Sequence, residues 1–124
     1  MKILVTGSEG FIGSHLVEML IKKKHKVRAL VLHNSFNSWG WLDSLTEDTK
    51  KKIEVVLGDI RDKESVEESI KGMDVVINLA ALIGIPYSYN ASKSYVDTNI
   101  IGLLNILNSA RKKKIKTNYS YINL

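Results

Sequence analysis

Glycines at positions 7, 10 and 13 stand where chemistry is easiest to read in this chain. Before them runs an apolar stretch, Ile3-Leu4-Val5, closed by Thr6; behind them Phe11, Ile12, Leu16, Leu20 and Ile21 recur at helical spacing. A strand, a glycine turn and a helix in that order make an anion site. The first N–H groups of a helix have no partners inside it, and the helix dipole adds partial positive charge there, so the junction suits a pyrophosphate. Gly7 allows the tight turn, Gly10 lets a phosphate approach the backbone, and Gly13 lets the helix lie close to the strand. The spacing is GxxGxxG rather than GxGxxG. A bare turn is the plainer reading of three glycines, and the flanking strand and helix favour dinucleotide binding over it. Metal chemistry has no such support: His15, His25 and His33 lack spaced partners, and the chain has no cysteine.

The elements that must position this site follow in order. Lys26 to Leu32 reads as a second strand, apolar on both faces as buried parallel strands are. Trp39 to about Lys50 is expected as a short helix with Ser38 as its cap. Ile53 to Leu57 is a third strand, and Asp62 can cap a helix from Lys63 to Lys71 that Gly72 stops. Asp74 to Ala80 is the fourth strand. A loop with Pro86 leads to a long helix, about Ser92 to Lys113, whose Val96, Ile100, Leu103, Leu104, Leu107 and Ala110 form one apolar stripe. Thr117 to Leu124 is a candidate fifth strand. Strands alternating with helices imply parallel βαβ units with right-handed crossovers. The expectation is therefore an α/β, doubly wound Rossmann-type sheet of order 3-2-1-4-5, with a ligand edge formed by the loops beginning at Gly7, His33, Gly58 and Ala81.

A length of 124 residues fits one domain, and such a chain buries about two-thirds of its unfolded surface. The net charge of +5 raises the question of nucleic acid. Its lysines cluster as Lys22–Lys24, Lys50–Lys52 and Lys112–Lys114, each closing an expected helix, where cations complement the dipole. No aromatic residues interleave with them and no recognition motif accompanies them, so no nucleic-acid partner is expected. With no apolar run of bilayer-spanning length, no membrane partner is expected either, and the absence of cysteine and of a leader fits a cytoplasmic protein.

VTGSEGFIGSHLVE resembles the TGxxGxxG signature of the extended short-chain dehydrogenase/reductases, in the nucleotide-sugar epimerase/dehydratase branch. Gly58-Asp59-Ile60-Arg61-Asp62 resembles that branch's GDhxD segment, Asn78-Leu79-Ala80-Ala81 its fourth-strand segment, and Thr98-Asn99 through Gly102, Asn105 and Leu107 its TNxxGxxNhL helix. More narrowly, VRALVLHNSFNSWGWLD and AALIGIPYSYNASKSYVDTN look like the 4,6-dehydratases of legionaminic-type acid synthesis. The resemblance implies NAD or NADP as cofactor, held by Gly7, Ser8, Glu9, Gly10, Phe11, Ile12 and Gly13. It also implies contacts from Asp59 and Ile60 beside the adenine and from Leu79, Ala80 and Ala81 along the fourth strand. His33, Asn34 and Ser35 follow strand 2 on the ligand edge, with His33 facing the adenosine ribose. Asp59 has a plainer reading as a turn residue. For Asn99 a structural hydrogen bond to the neighbouring loop stands beside a role at the active site.

Strand 2 is informative by omission. NAD-preferring proteins of this fold end it with Asp or Glu, which bonds the ribose hydroxyls and repels a 2′-phosphate. Here Val31 and Leu32 occupy that region. The Ser-Phe-Asn-Ser run that follows is similar to NADP-using GDP-mannose dehydratases, but no arginine is present to clamp a phosphate, so NAD and NADP both stay open.

In the family a Tyr-xxx-Lys pair beyond strand 5 performs the acid–base work, and an acid–glutamate pair removes water across the sugar C5 and C6. Tyr89 and Lys93 have the spacing but follow strand 4, so no catalytic residue is assigned. The expectation is an NAD(P)-binding part over residues 1–114 and a divergent tail or poor fifth strand over 115–124. The sheet is then incomplete on its C-terminal side and the substrate domain absent. A nucleotide-sugar would bind only after completion by a C-terminal half. A stand-alone binding module and a subunit completed by a separate catalytic chain are the alternatives. An exposed sheet edge would invite pairing with other chains, so a homo-oligomer is expected.

Overall fold

The computed structural model describes residues 1–82, 89–115 and 117–120. Five parallel strands form one sheet: β1 Lys2–Thr6, β2 Lys26–Val31, β3 Ile53–Leu57, β4 Val75–Asn78 and β5 Thr117–Ser120. Their order is β3-β2-β1-β4-β5, as expected from the sequence. Residues 121–124 of the expected fifth strand, and the loop with Pro86 and Tyr87, lie outside the described residues. Among the described residues, no helix is long and apolar enough to cross a membrane.

The strands alternate their side chains between two cores, as the pleat requires. Ile3, Val5, Ala29, Val31 and Val75 point to one face, where Val17 and Leu20 of α1 (Phe11–Lys22) and Leu42 cover them. Leu4, Leu30 and Val76 point to the other, against Val66 and Ile70 of α3 (Lys63–Ile70) and Ile106 and Ala110 of α5 (Leu103–Lys112). Full burial of a side chain such as Ile106 contributes about 1.5–3 kcal/mol. Both faces are apolar because helices cover both, which is why strands 1, 2 and 4 read as near-continuous apolar runs.

Helix ends are set locally. Asp62 caps α3 by accepting from the Glu64 N–H at 3.1 Å. Helix α1 ends through Lys24, whose φ of 65° turns the chain and lets His25 N–H reach the Leu20 carbonyl at 3.1 Å. Lys114 ends α5 in the same way, with a φ of 56° and the Ile115 N–H on the Ala110 carbonyl at 2.9 Å.

Two expected helices differ from the sequence reading. The segment from Trp39 to Lys50 is a 3₁₀ turn, Gly40–Ser44, followed by a separate short helix α2, Glu47–Lys50. Gly40 takes a φ of 58° and Leu45 is extended, so one continuous helix cannot form. Ser38 still acts at the start, accepting from the Gly40 N–H at 2.9 Å, while Thr46 caps α2. The long helix is composite: α4 Ser92–Tyr95 continues through a π-helical stretch, Val96–Gly102, into α5. That stretch rotates the helix surface, so the buried positions are Gly102, Ile106, Ser109 and Ala110. Val96, Ile100, Leu104 and Leu107 of the expected stripe face solvent instead.

Candidate functional site

The C-terminal ends of β1, β2, β3 and β4 surround a cleft of about 370 Å³, within the range of small-molecule sites. One wall is the glycine turn. Gly7 has a φ of 66°, and a Cβ there would come within 2.7 Å of the Leu79 and Ala80 backbone, so no other residue fits without distortion. A Cβ on Gly13 would lie 2.1 Å from the Gly7 carbonyl oxygen, which fixes how closely α1 approaches the turn. Gly10 is the N-cap of α1 and supplies no side-chain cap, and the first turn carries no acid. Among the described residues, the first-turn N–H groups of α1 thus have no side-chain cap beside a glycine-lined surface, a cradle fitted to a phosphate.

The turn is tied to the sheet by short polar links. Thr6 Oγ1 bonds the Asn78 side chain and accepts from the Ala80 N–H at 3.2 Å, joining the ends of β1 and β4. Ser8 is fully buried and donates to the Val5 carbonyl at 2.7 Å. Its side chain therefore shapes the turn from within rather than facing the cleft.

The opposite wall follows β3. Arg61 donates to both Asp59 carboxylate oxygens, with its closest contact at 2.6 Å, and its own N–H bonds Asp59 at 2.9 Å. This Arg61 contact holds the Asp59 carboxyl below its ordinary range, so it stays an acceptor at neutral pH. Helix α5 supports the same loop: the Asn105 amide donates to the Ile60 carbonyl at 2.9 Å and to that of Arg61 at 3.2 Å. Gly102 packs against Ile60, where a Cβ would meet the Ile60 side chain at 2.5 Å.

The third side is the loop after β4. Asn99, carried by the π-helical stretch, donates to the Leu82 carbonyl at 2.9 Å and accepts from the Leu82 N–H at 2.8 Å. This reciprocal pair is the structural bond to the neighbouring loop considered from the sequence. It positions Ala81 and Leu82 along the cleft.

Glu9 behaves differently from Asp59. It lines the cleft beside Leu32, and burial pushes its carboxyl above the ordinary range, opposed by hydrogen bonding from the backbone of Glu9 itself and of Leu32. Its Oε2 is buried and has no partner among the described residues.

Of the residues singled out in the sequence, Gly7, Glu9, Gly10, Asp59, Ile60, Leu79, Ala80 and Ala81 line this cleft together. Gly13 and Ser8 build it from behind, and Asn99 acts through Leu82. Phe11 and Ile12 are exposed at the start of α1, with Phe11 edge-on to Trp41 at 5.2 Å between ring centres. His33 and Ser35 are exposed, and neither they nor Asn34 line the cleft. The Asn34 side chain is engaged in its own loop, donating to the Ser38 carbonyl at 2.6 Å and accepting from the Phe36 N–H at 3.0 Å. The sequence reading missed Arg61, Ser94 and Thr98 as lining residues. Arg61 was within reach of it, two residues past Asp59 and of opposite charge. Tyr89 is 83% exposed, and Lys93 is ion-paired with Asp97 at 2.6 Å.

A parallel sheet of this order, with a glycine turn into α1 and an acid after β3, defines a Rossmann-type dinucleotide fold. The sequence profile of the GDP-mannose 4,6 dehydratase family matches residues 4–123, and the chain belongs to that family. The protein CapI of Staphylococcus aureus is 39% identical over 126 residues, covering 94% of this chain and 36% of that protein. A UDP-N-acetyl-alpha-D-glucosaminuronate decarboxylase of Bacillus cytotoxicus is 36% identical, covering 93% of this chain and 34% of its own length. Among solved structures, the Thermus thermophilus UDP-glucose 4-epimerase complex with NAD superposes with a TM-score of 0.76 at 29% identity, covering 95% of this chain and 36% of that one. The chain thus spans about a third of the length of the curated relatives it matches. It corresponds to the N-terminal domain of nucleotide-sugar dehydratases and epimerases, a family that uses NAD or NADP.

Proposed function

We propose that this chain is the cofactor-holding part of a nucleotide-sugar 4,6-dehydratase or epimerase and that it does not turn substrate over alone. The observation that carries the reading is the uncapped first turn of α1 beside Gly7 and Gly10, opening onto a cleft walled by Asp59 and Ala80. The residues fit a dinucleotide: the α1 N–H groups would hold the pyrophosphate, and the Asp59 carboxylate would face the adenine. A bound nicotinamide supplies the hydride chemistry of oxidation and reduction. This chain's residues supply binding and orientation, with Thr6 and Asn99 fixing the two backbone segments that bound the cleft. Tyr89 and Lys93, which have the spacing of the family's acid–base pair, are not among the described residues lining the cleft, and this supports the non-catalytic reading. A C-terminal half would bring the nucleotide-sugar site.

Titration with NAD(H) and NADP(H), followed by assay of nicotinamide reduction with UDP-, GDP- and CDP-linked N-acetylhexosamines, tests this. Binding without turnover is expected, and turnover by this chain alone would overturn the non-catalytic part. Self-association belongs to the same reading. Val96, Ile100, Leu104 and Leu107 leave an apolar strip open on the helix, and β5 is an edge strand among the described residues. Light scattering is expected to show dimers or larger species; a monomer at all concentrations would remove that part.

A further inference from the structure

We propose that a second anion site lies at the opposite end of the sheet, where Lys2, Lys26, Lys52 and Arg28 hold a linear oligophosphate. The N-terminal ends of β1, β2 and β3 border a cavity of about 250 Å³, lined by these four cations together with Glu54 and Met73. The cofactor cleft opens at the other ends of the same strands and shares no lining residue with it.

Strand register sets the three lysines side by side. Lys2 is directly opposite Lys26, and Val27 is opposite Ile53, so Lys52 is next in the same row. Neighbouring strands lie about 4.7–4.9 Å apart, and the row therefore spans roughly 10 Å. By the alternation of the pleat, the row belongs to the face of Leu4 and Leu30, as does Arg28. Like charges directly opposite one another are unfavourable in a sheet, and little at this edge offsets them. Among the described residues, the ion pairs here are Arg28 with Glu54 at 3.0 Å and Lys52 with Asp48 at 3.1 Å, and neither Lys2 nor Lys26 has one. The Asp74 carboxylate is engaged by the main chain, accepting from the Lys2 N–H at 2.9 Å. The Lys52–Asp48 pair is exposed on both sides, so a phosphate can replace it at small cost.

Arg28 is held more firmly than the lysines. Its side chain is 17% exposed, its Nε donates to Glu54, and its Nη1 donates to the Ser69 and Lys71 carbonyls at 2.8 Å each. These bonds fix the guanidinium plane beside the cavity, and among the described residues no acceptor engages Nη2. A fixed guanidinium edge with spare donors suits a phosphate oxygen. The row beside it suits an anion whose charges are strung along a line: an oligophosphate can meet several ammonium groups at once, whereas a single phosphate reaches fewer. The site thus takes its charge from strand ends and owes nothing to a helix terminus.

The test is a titration of the isotope-labelled full chain with tripolyphosphate, followed by amide NMR at low salt. Saturable shifts are expected at Lys2, Lys26, Val27 and Lys52, weakening as salt is raised. Shifts confined to Gly7 through Gly13, or none at all, would overturn the site. Calorimetry on the Lys26→Gln/Lys52→Gln double variant, shown by thermal unfolding to be folded, should give tripolyphosphate binding roughly fivefold or more weaker than in the wild type. Undiminished affinity in that variant would overturn the role of the row, and an oligonucleotide that binds the wild type more tightly than tripolyphosphate would overturn the small-ligand assignment.

Discussion

The two carboxylates that line the cleft are in opposite states. On the β3 side, Asp59 is gripped by the Arg61 guanidinium and backbone, and its carboxyl sits below the ordinary range. On the β1 side, Glu9 is half-buried with one oxygen unpartnered among the described residues, and its carboxyl sits above that range. Asp59 is satisfied by its own chain, so the β3 wall is complete before any ligand arrives. Glu9 is not, so the β1 wall carries a small destabilisation. The difference is one of environment, an ion pair at one wall and burial at the other.

Breaking the β1 wall should have the largest effect. Gly7→Val combines an unfavourable φ with overlap onto the Leu79 and Ala80 backbone, and is expected to destabilise by about 3 kcal/mol or more. Urea denaturation would show this as a large drop in midpoint, and an unchanged midpoint would mean that the turn is not built as described. Next comes Thr6→Val, which removes the bonds to the Asn78 side chain and the Ala80 N–H that tie the ends of β1 and β4. A loss of roughly 1–3 kcal/mol is expected, with no change in far-UV circular dichroism.

The β3 wall should respond less and with a definite pH dependence. Arg61→Ala is expected to cost roughly 0.5 kcal/mol at neutral pH, because the pair is partly exposed and screened. Asp59 has a lowered folded pKa, so its contribution is present above the ordinary carboxylate range and lost as pH falls through the lowered value. The gap between wild type and Arg61→Ala should therefore close in acid. Glu9→Gln should show the smallest change and the opposite sign. Its raised folded pKa means that its contribution is full below the ordinary range and lost as pH rises through the raised value. Relative to the wild type, Glu9→Gln should gain stability on going from acid to neutral pH. Parallel pH–Tm curves for wild type and this variant would show that Glu9 is not perturbed.

The sheet order was legible because parallel strands covered on both faces leave continuous apolar runs, and Lys2–Thr6, Lys26–Val31 and Val75–Asn78 each show one. The glycine turn and Asp59 were legible because their spacing is local. Three features were not. Nothing in Val96 to Gly102 marks a change of hydrogen-bond register, so the π-helical stretch and the rotation it gives the buried face were invisible. Gly40 was the available sign that Trp39 to Lys50 would not form one helix, and helical spacing of Trp39, Leu42 and Leu45 outweighed it. The pairing of Glu9 with the end of β2 depends on two segments more than twenty residues apart in sequence meeting in space.

The most direct test of the cofactor site uses the chain's own fluorophores. The Trp41 backbone N–H donates to the Glu9 carbonyl, and its ring meets Phe11 at the start of α1, so a dihydronicotinamide dinucleotide bound in the cleft would lie within energy-transfer range of it. Titrating the folded chain with NADH should give saturable energy transfer from tryptophan to NADH, reversed by excess NAD. A folded chain that shows no saturable transfer up to millimolar NADH would contradict the assignment of this cleft as a dinucleotide site.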